Sequence, residues 1–351
     1  MKVTSIVVSV FLSISLFSSI SNAETVSLPS KKADITQTSV SGLSSGAMMA
    51  QQLHVAYSDI MVGVGVVAGA PYYCAEGSSF TSIQRCMSGG FWWWGWWIKD
   101  LPDTEYLFAK AKEFESSGEI DKLSNIVGDK IYVFTGKADN VVKTPVMDAV
   151  DEWYKTAGVP QESIKYERDR IYAGHAFMTE DGAGSCSNSY GAYVNDCDYD
   201  GAKAVLEHIY GPLNAPNSEP EAAGSIIKFN QEEFMTGSAS SISMDDTGYA
   251  YIPDICSTET CKIHVVLHGC SQGESNLILG FNSGDSVYRK AGYNKWAASN
   301  NMIMLYPQAI SSFSNTMGCW DWWDYNGTGN YYAKEAPQMK AIYNMINKLS
   351  Q

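Results

Sequence analysis

Two kinds of apolar segment alternate along this chain. Short runs such as 61–68 (Met-Val-Gly-Val-Gly-Val-Val-Ala) and 263–267 (Ile-His-Val-Val-Leu) are apolar almost throughout, as strands buried on both faces of a parallel sheet must be. Between such runs lie segments with apolar residues near helical spacing, as at Met48, Met49, Leu53 and Ala56. The pattern predicts strands at 33–41, 61–68, 130–135, 163–172, 226–229, 249–252, 263–267 and 302–306. It predicts helices at 47–57, 146–157, 286–298 and 336–349. Such alternation implies an α/β fold with a mostly parallel central sheet flanked by helices.

Two segments fall outside the pattern. Residues 1–23 begin with Lys2, continue as an apolar and serine-rich stretch and end in Ser21-Asn22-Ala23. That is the form of a signal peptide, too short and too serine-rich for a lasting membrane anchor. Residues 211–225 (Gly-Pro-Leu-Asn-Ala-Pro-Asn-Ser-Glu-Pro-Glu-Ala-Ala-Gly-Ser) carry the strongest linker composition in the chain.

Candidate chemistry begins where the first strand meets the first helix. Gly42-Leu43-Ser44-Ser45-Gly46 is a G-x-S-x-G run in strand–turn–helix context, the nucleophile elbow of an α/β-hydrolase. The oxyanion loop of that fold normally precedes the nucleophile. Here its counterpart, Leu267-His268-Gly269-Cys270, follows by more than two hundred residues. Joining the C-terminal helix to the first strand would restore the usual order. The expectation is therefore one catalytic domain over 24–351, a circularly permuted α/β-hydrolase. The 211–225 linker would join the permuted halves, and the chain's own ends would lie close together.

A serine hydroxyl needs a base to take its proton. Of the five histidines, His54 and His208 fall in helical patterns, His264 in a strand and His268 in the oxyanion loop. His175 alone sits in a small-residue loop after a strand of the first half. Asp139 follows the strand at 130–135, at the sheet edge where such folds place functional groups. Asp148 and Asp151 fall in the helix beyond. The chain order Ser44, Asp139, His175 is that of the fold. The amides of Ser45 and Cys270 are the expected oxyanion donors.

Charge and cysteine content narrow the setting. At a formal net charge of −14, the chain is a poor partner for nucleic acid or anionic membrane and suits a neutral substrate. All eight cysteines lie beyond the leader, which suggests four disulfides in an exported protein. Sequence proximity favours Cys74–Cys86, Cys186–Cys197 and Cys256–Cys261, leaving Cys270–Cys319, although other pairings stay open. No metal is expected, because there is no C-x-x-C pair and only His268 neighbours a cysteine. No cofactor is needed.

Together, Gly-Leu-Ser44-Ser-Gly, Tyr-Val-Phe-Thr-Gly before Asp139, Ala-Gly-His175-Ala-Phe, Leu-His-Gly-Cys270 and Cys319-Trp320-Asp-Trp resemble the secreted poly(3-hydroxybutyrate) depolymerases. The likeness is to the single-domain fungal type with a permuted α/β-hydrolase fold. It implies Ser44, Asp139 and His175 as a catalytic triad, and Ser45 and Cys270 as the oxyanion hole. It also implies Trp320 as a wall of the substrate cleft beside a Cys270–Cys319 bridge. The function implied is extracellular hydrolysis of poly(3-hydroxybutyrate) or a related polyhydroxyalkanoate through an acyl-enzyme, with the periplasm as the other compartment. The partners implied are the insoluble polyester and its oligomers, met by a monomer without stable membrane insertion.

Residues 91–97 (Phe-Trp-Trp-Trp-Gly-Trp-Trp) depart from that family pattern and hold five of the ten tryptophans. On a helix, rings at Trp92, Trp93, Trp94, Trp96 and Trp97 would point in nearly every direction, so they cannot all enter one core. A polymer-adsorbing surface is expected over a core helix. Two other functions fit the same motifs: a feruloyl or acetyl esterase acting on carbohydrate, and a polyester- or surface-binding protein without activity. The sequon Asn326-Gly327-Thr328 is assigned no role.

Overall fold

The computed structural model describes residues 25–168, 171–182, 184–275 and 284–351; the expected leader at 1–23 lies outside them. The first half of the chain gives β1 (Thr38–Leu43), β2 (Met61–Val67), β3 (Gly90–Trp93), β4 (Trp96–Lys99), β5 (Lys130–Thr135) and β6 (Ile164–Arg168). Then come three short strands, β7 (Phe177–Thr179), β8 (Gly184–Ser185) and β9 (Val194–Asp196), forming a small sheet of their own. The second half gives β10 (Gly224–Asn230), β11 (Thr247–Pro253), β12 (Lys262–Leu267) and β13 (Met302–Tyr306). The helices are α1 (Ser45–Ala56), α2 (Ser79–Gln84), α3 (Thr104–Ser116), α4 (Thr144–Thr156), α5 (Gly201–Tyr210), α6 (Tyr293–Ala297) and α7 (Pro337–Ser350).

Eight strands form the central sheet in the order β10-β11-β13-β12-β1-β2-β5-β6. From β13 to β6 the neighbours run parallel, while β11 and β10 extend one edge by antiparallel pairing. The apolar runs explain the parallel part: β12 and β13 are buried except for the half-buried Lys262, because helices cover both faces. α5 and α6 take one face, where Tyr210 and Tyr293 reach Ser39 and Ser41 of β1. α1, α4 and α7 take the other, with His54 of α1 bonded to Tyr154 of α4.

Counted from β10, the spatial order becomes 1-2-4-3-5-6-7-8. The His268 loop then follows the third strand, as an α/β-hydrolase oxyanion loop does. The segment before β1 meets the end of α7 where an unpermuted chain would be continuous: the amides of Lys31 and Ala33 both donate to the Leu349 carbonyl, at 3.0 and 3.1 Å. Most of the expected linker crosses the surface from α5 to β10, fastened by Asn214 to Ser299 and Asn300. Its last two residues, Gly224 and Ser225, are already strand.

Three local expectations need correction. The strand expected at 33–41 begins only at Thr38, after a 3-10 turn at Ile35–Gln37 capped by Asp34. The helix expected at 286–298 is broken into a π turn (Ser286–Lys290) and α6, because Gly292 adopts φ 87° between them. Residues 91–97 are no helix but the hairpin β3–β4. Its two turn residues, Trp94 and Gly95, have φ 50° and 85°, the left-handed pair that a two-residue type I′ turn requires.

The four disulfides are Cys74–Cys86, Cys186–Cys197, Cys256–Cys261 and Cys270–Cys319, and no cysteine is free.

Candidate active site

Ser44 stands on the sharp turn between β1 and α1 at φ 58°, ψ −123°. A non-glycine residue seldom holds that conformation, and here the surrounding backbone imposes it. The Ser44 amide donates to the Val67 carbonyl at 3.0 Å, and the Ser44 carbonyl accepts from Ala47 and Met48. Both flanking glycines are sterically required. A Cβ on Gly42 would lie 2.4 Å from the Gly46 backbone, and one on Gly46 would lie 2.3 Å from the Leu267 carbonyl oxygen. The second contact presses the elbow against the end of β12, where the His268 loop starts.

Asp139 and His175 meet beside the elbow. His175 Nδ1 donates to Asp139 Oδ2 at 2.8 Å, with side chains 5% and 1% exposed. The other carboxylate oxygen accepts the amides of Val141 and Val142 at 2.8 and 3.0 Å, so the turn after β5 holds the carboxylate on both sides. The His175 amide donates to Ser189 Oγ at 2.9 Å. With Nδ1 committed to Asp139, the lone pair of Nε2 is left to accept a proton. Ser44 and His175 line one cavity. Among the described residues no hydrogen bond joins them, a contact that in this kind of site often closes only with substrate present.

Hydrogen-bond accounting selects the amides that can meet an oxyanion. In the loop after β12, Gly269 donates to Gln272 Oε1 at 2.6 Å and Ser271 to the Met317 carbonyl at 2.7 Å. The Cys270 amide, between them, has no hydrogen-bond acceptor among the described residues. Ser45 opens α1, where first-turn amides have no intrahelical acceptor. The Cys270–Cys319 bridge, with Cα atoms 4.2 Å apart, straps this loop to 315–319. Asn315 clamps that second segment by bonding both the amide and the carbonyl of Cys319.

The cavity measures about 560 Å³. Ser44, Ser45, His175, Cys270 and Gln272 are among its polar lining residues, and Met48, Ile83, Met87, Val141, Met317, Trp322 and Trp323 among its apolar ones. Trp320 is not part of that wall, contrary to expectation. It is fully buried, with its indole N–H donating to the His268 carbonyl at 3.0 Å and its ring packed against His268. Trp322 and Trp323 face the cavity instead. Sequence reasoning missed both, because they lie in an irregular loop where no periodicity says which ring points inward. It also missed Gln272, whose only signal was its place two residues after Cys270.

The tryptophans of 91–97 do not line this cavity. They stand on the hairpin at 46–86% exposure. The hairpin adjoins the cavity through α2: Ser79, Ser82 and Ile83 face the cavity, while Phe80 packs edge-on against Phe91 at 6.2 Å.

The remaining histidines are structural. His54 pairs with Asp129 at 2.9 Å beneath α1, and His208 bonds the Ser163 carbonyl. His264 is buried between Ser39 and Ser41, at 2.5 and 2.8 Å, with no opening to the cavity. Burial lowers its pKa to about 3. His268 accepts the Ala309 amide and donates to the Gly269 carbonyl; burial lowers it to about 4.

No family model matches the chain. It is 45% identical over 332 residues to a poly(3-hydroxybutyrate) depolymerase of Delftia acidovorans, covering 93% of this chain and 62% of that protein's length. It is 38% identical over 339 residues to a polyhydroxybutyrate depolymerase of Talaromyces funiculosus, covering 92% of each. Among solved structures it is similar to the depolymerase of Penicillium funiculosum, with a TM-score of 0.80 at 37% identity over 93% of this chain and 99% of that one. A PHB depolymerase variant with a serine replaced by alanine, complexed with an R3HB trimer, matches equally well.

Proposed function

The chain belongs to the poly(3-hydroxybutyrate) depolymerases, and on that premise we propose that it is an exported serine esterase cleaving poly(3-hydroxybutyrate) through Ser44, His175 and Asp139. Ser44 Oγ attacks the ester carbonyl carbon while His175 Nε2 takes the hydroxyl proton. Asp139 holds the imidazole in the productive tautomer and stabilises the imidazolium. The amides of Ser45 and Cys270 receive the negative charge on the carbonyl oxygen. As that intermediate collapses, the C–O bond to the leaving chain breaks and His175 returns the proton to the departing alkoxide. Water, deprotonated by the same histidine, then releases the 3-hydroxyacyl group from Ser44. No metal or organic cofactor enters these steps.

The observation that carries the reading is the meeting of a strained elbow serine and a carboxylate-held histidine in one largely apolar cavity. An aliphatic polyester has little to offer beyond methyl, methylene and ester groups, which suits that lining. The exposed tryptophan hairpin is the surface proposed to hold the insoluble polymer near the cavity. Four disulfides accord with an oxidising compartment outside the cytoplasm, with residues 1–23 as the leader.

The test is clearing of a poly(3-hydroxybutyrate) suspension by the mature protein and by Ser44→Ala, with a feruloyl ester and a short p-nitrophenyl ester alongside. Clearing that needs Ser44 supports the depolymerase. Cleavage of the soluble esters alone would move the assignment to another esterase. Absence of fluorophosphonate labelling would favour a binding protein.

A further inference from the structure

The tryptophan hairpin has two aromatic faces. Trp92 pairs across the strands with Trp97, and Trp93 with Trp96. Cross-strand partners share a face, whereas neighbours along a strand alternate. Trp92 and Trp97 therefore stand on one side of the ribbon and Trp93 and Trp96 on the other, all four between 46% and 74% exposed. Trp94 caps the tip at 86% exposure.

That tip is costly. Asn, Asp or Gly fills a left-handed turn position with little strain, and a bulky ring does not. Trp94 holds φ 50° and buries almost nothing of its ring. Its use lies in what it meets outside the molecule. The foot of the ribbon, by contrast, is well anchored: Trp97 folds over Gly90, where a Cβ would come within 2.7 Å of the ring, and Phe91 leans on Phe80 of α2. No charged residue occurs from Met87 to Ile98, which suits an uncharged, apolar occupant. Because α2 also walls the cavity, whatever the hairpin grips is held beside Ser44.

A rigid crystalline face could cover only one side of this ribbon and would leave the opposite pair in water. Covering both sides requires a medium that closes around the hairpin. We propose that the hairpin inserts tip-first into the amorphous phase of the solid polyester and so directs the enzyme to loose chains. The proposal rests on the depolymerase reading and adds the physical state of the substrate. A fluid lipid surface is also soft, but the net charge of −14 opposes an anionic one.

The experiment uses the mature protein carrying Ser44→Ala, so that no film is eroded. Adsorption is measured by microbalance on one poly(3-hydroxybutyrate) film, quenched amorphous and then annealed, and on zwitterionic phosphatidylcholine vesicles. Affinity for the amorphous film should exceed that for the annealed film at least about tenfold. W92S/W97S and W93S/W96S should each remove most of that difference, with melting temperatures showing that both variants fold. Equal binding to the two films, dependence on one face only, or tighter binding to vesicles than to polymer would each overturn it. Adsorption needs no catalysis, so a failure to clear polymer with Ser44 in place would count against the depolymerase reading separately.

Discussion

Gln272 receives the Gly269 amide on its side-chain oxygen at 2.6 Å while its own amide donates to the Ala192 and Tyr193 carbonyls at 2.9 and 3.3 Å. The Tyr193 ring stands edge-on to His175, with centroids 6.4 Å apart. One buried side chain thus ties the loop after β12 to the loop that walls in His175. By occupying Gly269, it also leaves the Cys270 amide without an acceptor among the described residues.

Gln272→Leu should therefore lower kcat on a soluble ester by about 10–100-fold with little change in KM, somewhat less than loss of an oxyanion donor outright. Gln272→Glu separates positioning from packing. Its carboxylate would still accept from Gly269 but would repel the two carbonyls, whereas the protonated acid could donate again. Burial raises such a carboxyl's pKa, so activity relative to the parent should climb as pH falls from about 8 to about 6. A ratio that stays flat with pH would reduce Gln272 to a space-filling role.

Asp139→Asn should cost about 10⁴-fold in kcat, because an amide facing Nδ1 favours the wrong imidazole tautomer. Fold should survive, since the side-chain amide of the variant keeps one oxygen that can accept from the Val141 and Val142 amides. Ser44→Ala should leave no measurable turnover and no fluorophosphonate adduct. Substantial Asp139→Asn activity on a p-nitrophenyl ester would point to another carboxylate.

Breaking the Cys270–Cys319 bridge should affect rate as well as stability. Its sequence separation of 49 corresponds to about 4 kcal/mol in the chain-entropy account. Selective removal as Cys270→Ala/Cys319→Ala should lower kcat at temperatures well below the new melting point, because the backbone amide at position 270 loses its strap. Full activity in the folded double variant would show that Asn315 and the Ser271–Met317 bond position the loop unaided.

The buried histidines predict acid sensitivity. His264 and His268 have pKa values lowered to about 3 and about 4 in the folded state, while the unfolded chain takes up those protons near its ordinary value of about 6.5. Their stabilising contribution is present above that value and is lost as pH falls through the window down to the folded values. Melting temperature should fall steadily below about pH 6.5, and His264→Gln should flatten that fall even if it lowers the plateau. An unchanged acid slope in the variant would assign the sensitivity to other groups.

Much of this molecule was written locally. The apolar runs of β2, β12 and β13 can be satisfied only between two layers, so they announce a parallel sheet. The elbow glycines, the small-residue loop at His175 and the turn at Asp139 are likewise properties of a few neighbouring residues. Their order along the chain, with the His268 loop last, was enough to expect the permutation. What escaped were matters of direction and distance. Which of Trp320, Trp322 and Trp323 faces the cavity depends on how an irregular loop rests on His268. The role of Gln272 depends on carbonyls some eighty residues earlier in the chain, with no pattern near Gln272 to mark them. The tryptophan segment lies between these cases. Its central Gly95 was a readable turn signal, but only pairing across the strands sorted the rings onto two faces. Sequence determines what each segment can bury; contacts between distant segments decide which side chains remain to do chemistry.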